Sequence, residues 1–153
     1  MGSLRYARLA RERGDSIVAM LSLETIGYYS NVAGSQKYPP ILGWFYPDRG
    51  DFVGFVGNVG SRKLVHATIE SFRQHATLPS AGSAAPKQIP GIGWSDQWSF
   101  WKLGYQGVMV TATAPYRDPN YHQPTDTPDK LDYARLARAV HALSFTIDDL
   151  ARQ

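Results

Sequence analysis

The stretch GVMVTATAPYRDPNYHQPTDTPDKLDYARLARAV, residues 107–140, decides the fold class. It opens on a run of β-branched and small apolar residues that Pro115 terminates, the pattern of a buried strand. It closes on an amphipathic helix in which Leu136, Val140, Leu143, Ile147 and Leu150 mark one face and Arg135, Arg138 and Asp149 lie off it. Thr127 is the expected cap of that helix, with Pro128 in its first turn, where a missing N–H costs nothing. Between strand and helix lies a loop dense in Pro, Asp and Thr. It holds His122, the one histidine of four that is framed by turn residues instead of a helical pattern.

The same alternation extends upstream. Leu4, Ala7 and Ala10 predict a short helix stopped at Gly14, and SIVAMLSLETIGYY (16–29) predicts a buried strand ending near Glu24. FVGFVGN (52–58) reads as a second strand. From Ser61 to His75 the positions Leu64, Val65, Thr68, Ile69 and Phe72 recur at helical spacing, with Ser61 the expected N-cap. A short helix capped by Ser95 precedes the strand at 107–114, while residues 30–50 and 76–94 read as long Pro/Gly/Ser-rich loops. Strands alternating with helices predict a three-layer αβα domain with a mixed, mostly parallel sheet, residues 1–153 forming a single partial domain. Three strands are few for 153 residues, and the strand near residues 17–26 is too apolar for an exposed edge.

Composition removes several classes of function. The chain has 16 Lys+Arg against 13 Asp+Glu and no cysteine, so thiolate zinc sites and disulfides are excluded. Arg5, Arg8, Arg11 and Arg13 form a short basic stripe that reads as a solvated helix face, and no nucleic-acid partner is expected. No apolar run approaches the roughly 20 residues of a membrane-spanning helix, so no membrane partner is expected either. No phosphate-binding loop, G-x-S-x-G elbow, H-E-x-x-H motif or dinucleotide fingerprint occurs.

In open α/β sheets functional groups collect beyond the carboxyl ends of strands, and two residues stand there: Glu24 and His122. A carboxylate buried in an apolar strand needs a cation or hydrogen-bond partner. From its own segment Glu24 reads equally as a solvent-facing strand terminus, and His122 alone reads first as an ordinary loop histidine. His66, His75 and His141 lie in helical patterns without acids at ligand spacing and read as structural. Trp44, Phe45, Tyr46 and Trp94 in the long loops read as pocket lining or as packing beneath those loops.

Three stretches, MGSLRYA (1–7), LSLETIGYYS (21–30) and SDQWSFWKLGYQGVMVTATAPYRDPNYHQPTDTPDKLDY (95–133), together resemble the C-terminal portion of the two-zinc aminopeptidases, the leucyl aminopeptidase and aminopeptidase Y type of metallopeptidase. The resemblance implies a zinc-peptidase-like fold and hydrolysis of a peptide bond at a peptide N-terminus, with a peptide as partner and two zinc ions as cofactor. It places Glu24 and His122 at metal-ligand positions, serving different metals, and Tyr121 where some members polarise the scissile carbonyl. Two departures stand out. Gln97 occupies a position that is often histidine, which implies a changed pocket lining. The family's first histidine, bridging aspartate and Glu–Glu pair lie upstream of the matching segments; here Glu12, Glu24 and Glu70 are never adjacent and no H-x-D occurs. Each zinc would retain one protein ligand where a catalytic zinc takes three, so the chain alone is expected to bind zinc weakly or not at all and to be inactive. Truncation or a late start at Met1 is the leading expectation, with an exposed sheet edge prone to self-association. The alternatives are a non-catalytic binding module on the same scaffold and a glutaminyl-cyclase-like acyltransferase; nothing in the chain addresses localisation.

Overall fold

The structure is a computed structural model that describes residues 2–39 and 42–152. Four helices, α1 (Gly2–Arg13), α2 (Arg62–His75), α3 (Gln97–Lys102) and α4 (Tyr133–Ala151), flank four strands, β1 (Leu21–Glu24), β2 (Val53–Asn58), β3 (Ser80–Ala85) and β4 (Val108–Thr111). The sheet order is β1-β4-β2-β3. β1 runs parallel to β4 and β2 parallel to β3, while β2 and β4 are antiparallel. The expected three-layer αβα arrangement with a mixed, mostly parallel sheet is what forms.

Alternation along each strand separates the two faces. Val53 and Phe55 of β2 and Val108 and Val110 of β4 join the main core with Leu64, Val65, Ile69 and Phe72 of α2 and Ala139, Ala142 and Leu143 of α4. Phe55 and Phe72 are fully buried, their ring centroids 4.9 Å apart and tilted at 58°. α2 approaches β2 closely at Gly57, where an added Cβ would lie 2.5 Å from Val65 Cγ2, so no side chain fits. Against the opposite face, α3 packs with α1, whose Ala7 and Ala10 are buried while Arg5, Arg8, Arg11 and Arg13 remain exposed.

Several sequence expectations are corrected. Residues 80–85 of the supposed 76–94 loop form β3, a strand of Ser, Ala and Gly whose side chains carry no hydrophobic signal. Pro40 and Ile41 of the 30–50 loop lie outside the described residues. β1 is shorter than the 17–26 segment and stands at the sheet edge: its one neighbour among the described residues is β4, and Leu23 is 55% exposed.

The capping residues also differ. The Ser61 hydroxyl makes no cap bond but accepts from Gly107 N–H at 3.1 Å, while Asn58 Oδ1 accepts from Ser61 N–H at 2.8 Å. The Ser95 hydroxyl hydrogen-bonds that of Ser22 at 2.8 Å, tying the approach to α3 onto β1. Thr127 precedes a separate 3-10 turn at Pro128–Lys130, and Asp132 caps α4 by accepting from Arg135 N–H at 2.9 Å.

The buried face of α4 is rotated from the expected stripe. Ala139, Ala142, Leu143, Thr146 and Leu150 are buried, while Val140 and Ile147 are about half exposed. Close approach of α2 selects the small residues. Asp149, expected off the packed face, instead accepts from Ser71 Oγ at 2.6 Å and lies 3.1 Å from His75 Nε2, so it joins α4 to α2. These hydrogen bonds, Ser71 first and His75 second, hold its carboxyl below the ordinary range.

Candidate active site

The strand register builds two rows on the sheet face turned away from α2. One runs Glu24–Thr111–Gly54–Ala81 and the next Ser22–Met109–Val56–Ser83. At ~4.8 Å per strand, Gly54 lies about 10 Å and Ala81 about 14 Å from Glu24 along the row. Gly54 has no side chain and Ala81 a methyl group, so the far end of the row leaves an open bay. Tyr46, Ile92, Trp94, Met109 and Tyr116 give it apolar walls, and Glu24 and Tyr121 border it. Trp94 stacks on Tyr116 with centroids 6.4 Å apart, and Tyr46 on Tyr38 at 5.8 Å.

Of the aromatic residues expected in the pocket, Tyr46 and Trp94 line it. Trp44 and Phe45 are 84% and 75% exposed and neither line it nor pack beneath the loop. Met109 and Thr111 follow from period-2 alternation opposite the core residues Val108 and Val110. Ile92 and Tyr116 had no such signal, being loop residues brought over the sheet by tertiary contacts. Gln97 is fully buried and does not line the bay; its Nε2 donates to Ile92 O at 2.9 Å. Gln97 therefore bears on the lining through Ile92.

Glu24 and Tyr121 come together at the bay. Burial, and secondarily the Glu24 charge, raises the Tyr121 hydroxyl above the ordinary tyrosine range. His122 adjoins Tyr121, its ring stacked in parallel with centroids 3.9 Å apart at 16°, but it is exposed and does not line the bay. A turn places this pair: Asp118 Oδ1 accepts from the backbone N–H of Asn120 at 2.8 Å and from its Nδ2 at 3.0 Å, and His122 takes φ 58°. Among the described residues, no three His, Cys, Asp or Glu side chains gather where they could hold a metal ion. Glu24 and His122 are too few for the three-ligand set of a catalytic zinc, so the donors present do not fit a complete metal site.

The backbone around the site is strained. Thr25, Thr113, Ala114 and His122 have φ of 47°, 66°, 44° and 58°, and they are the non-glycine positions with positive φ among the described residues. They follow β1, follow β4 and form the histidine turn, all three at the bordering end of the bay.

The sequence profile of peptidase family M28 matches residues 1–147. The uncharacterized protein YfbL of Escherichia coli (strain K12) is 40% identical over 122 residues, covering 79% of this chain and 38% of that protein. The crystal structure of LapB from Legionella pneumophila superposes with a TM-score of 0.72 at 17% identity, over 97% of this chain and 35% of that one. The LapA aminopeptidase of the same organism gives 0.68 at 16% identity, over 99% and 36%. The chain thus spans little more than a third of the length of each of these proteins. A profile match across nearly every residue, together with the shared fold, leads to one conclusion: the chain belongs to peptidase family M28.

Proposed function

We propose that this chain supplies the substrate-facing part of an M28 aminopeptidase that removes an apolar residue from a peptide N-terminus. One observation carries the reading: an apolar bay opens directly beside Glu24 and Tyr121. The side chain of the terminal residue enters between Tyr46, Ile92, Trp94 and Tyr116, which leaves the scissile carbonyl near the Tyr121 hydroxyl. Tyr121 donates a hydrogen bond to that carbonyl, and preorganised donors of this kind stabilise charge that develops on an oxygen. In the complete family site Glu24 and His122 would each supply one ligand, to different zinc ions. The chain alone therefore holds zinc weakly or not at all and does not hydrolyse peptides.

The surface beside β1 belongs to the same proposal. Among the described residues β1 has one edge unpaired, with Leu23 on it and Val18 just before it exposed, and an open edge of this kind invites further strands or a second copy. Concentration-dependent mass in sedimentation, abolished by Leu23→Lys, is the expected outcome.

The experiment is metal analysis of the purified chain with assays on leucine and phenylalanine 4-nitroanilides and on an N-terminal glutaminyl peptide. Substoichiometric zinc and no turnover are expected. Stoichiometric zinc with release of nitroaniline would sink the inactivity claim. Cyclisation of the glutaminyl peptide would replace the peptidase reading with acyl transfer.

A further inference from the structure

Arg117 is 5% exposed, and no ion pair joins it to a carboxylate among the described residues. Burying a guanidinium without a counter-charge is unfavourable, so its retention calls for a structural reason. Its Nε donates to Gln36 Oε1 at 2.9 Å, and its Nη1 donates to Phe52 O at 2.9 Å and Tyr28 O at 3.4 Å. Its plane lies over Phe52, 4.6 Å from the ring centroid, and Tyr29 is 5.7 Å away. Gly50 makes room for its stem: a Cβ there would come within 2.7 Å of Arg117 Cδ. Burial brings its pKa down to about 10, so the group remains charged at neutral pH.

The partners of this arginine are informative. Tyr28 belongs to the segment leaving Glu24, Phe52 immediately precedes β2, and Gln36 lies in the loop that leads to Tyr38 and Tyr46. Gln36 is buried too, and its Oε1 also accepts from Thr113 Oγ1 at 3.0 Å, while its Nε2 reaches Lys37 O at 2.7 Å and Tyr116 O at 3.5 Å. Thr113 and Ala114 are two of the strained residues, and they start the loop that ends in Tyr121 and His122. Strained φ values persist only where the surroundings over-determine them, and this network supplies the surroundings.

We propose that Arg117, acting through Gln36, is a positioning residue that holds the 113–122 loop in its strained form and sets Tyr121 and His122 against the Glu24 segment. The breadth of the guanidinium is the operative feature, because Nε reaches Gln36 while Nη1 reaches Phe52 and Tyr28, a span of two nitrogens that a single ammonium nitrogen lacks; Nη2 is buried without a partner among the described residues. The importance of that placement for catalysis rests on the peptidase reading; the mechanical claim does not.

Hydrogen–deuterium exchange separates positioning from plain stabilisation. In Arg117→Lys and in Gln36→Leu, amides of residues 113–122 should exchange on the order of tenfold faster, while α2 and β4 amides change only as far as the melting temperature shifts. Arg117→Met should do the same, and Gln36→Leu keeps the test open if that variant does not fold. Unchanged protection at 113–122 in Arg117→Lys, or a uniform acceleration across the chain, would overturn the proposal. In protein that hydrolyses aminoacyl amides, Arg117→Lys should lower kcat on the order of a hundredfold with KM nearly unchanged. Cyclisation of an N-terminal glutaminyl peptide would count against the peptidase reading and leave the exchange result standing.

Discussion

The two faces of the sheet come from the same strands and have been built in opposite ways. Toward α2 and α4, Phe55, Val108 and Val110 interdigitate with Phe72, Leu64 and Ala139. On the other face the alternate residues are Gly54, Ala81, Ser83 and Thr111, and they leave space. The first face is buried and apolar. The second is bordered by four left-handed non-glycine residues and braced by a buried arginine that no ion pair joins to a carboxylate among the described residues. The contrast shows how labour is divided in a single layer of strands: one face supplies stability, which the other spends on placing a few side chains.

Substitutions on each face should behave accordingly. Phe72→Ala removes a fully buried ring beside Phe55 and should cost about 3–5 kcal/mol in urea denaturation. A loss below about 1 kcal/mol would mean that the helix-covered face is not the stabilising one. On the strained face the sign should reverse. Thr25 is exposed at φ 47°, so Thr25→Gly should raise stability by about 1 kcal/mol, the opposite of what glycine does in a relaxed segment. At the start of α4, Asp132→Ala should cost about 1 kcal/mol and Thr127→Ala less than about 0.5, reversing the capping order read from the sequence.

The smallest effect lies at the α2–α4 contact. The Asp149 carboxyl is held below its ordinary value of 3.8 in the folded chain, so it contributes stability above that value and loses the contribution as pH falls through the lower folded one. Thermal melts should show the difference between the unsubstituted protein and Asp149→Asn shrinking only in acid. A difference that persists at the lowest pH would assign the effect to packing.

The same division explains what could be read from the chain. β2, β4 and α2 were legible because apolar residues repeat at periods of 2 and 3.6 where a face is buried. β3 was not, since Ser80–Ala85 contributes backbone pairing to β2 and almost no apolar area. The α4 face is rotated from the stripe of large apolar residues because the close α2 contact admits Ala139, Ala142 and Thr146 beside Leu143 and Leu150. At the site, Glu24 and Tyr121 were visible through strand ends and family resemblance, and the structure sets both at the bay. Arg117 and Gln36 were invisible: a lone arginine in a Pro/Asp loop looks solvated until tertiary structure buries it.

The most direct test of the central claim, that the open face receives an apolar terminal residue, is an NMR titration of the isotope-labelled protein with phenylalanine amide. Saturable amide shifts at Gly54, Ala81, Ile92 and Thr111, with α2 unaffected, are the predicted result. Shifts confined to other surfaces, or none at these four residues up to the solubility limit of the ligand, would contradict it.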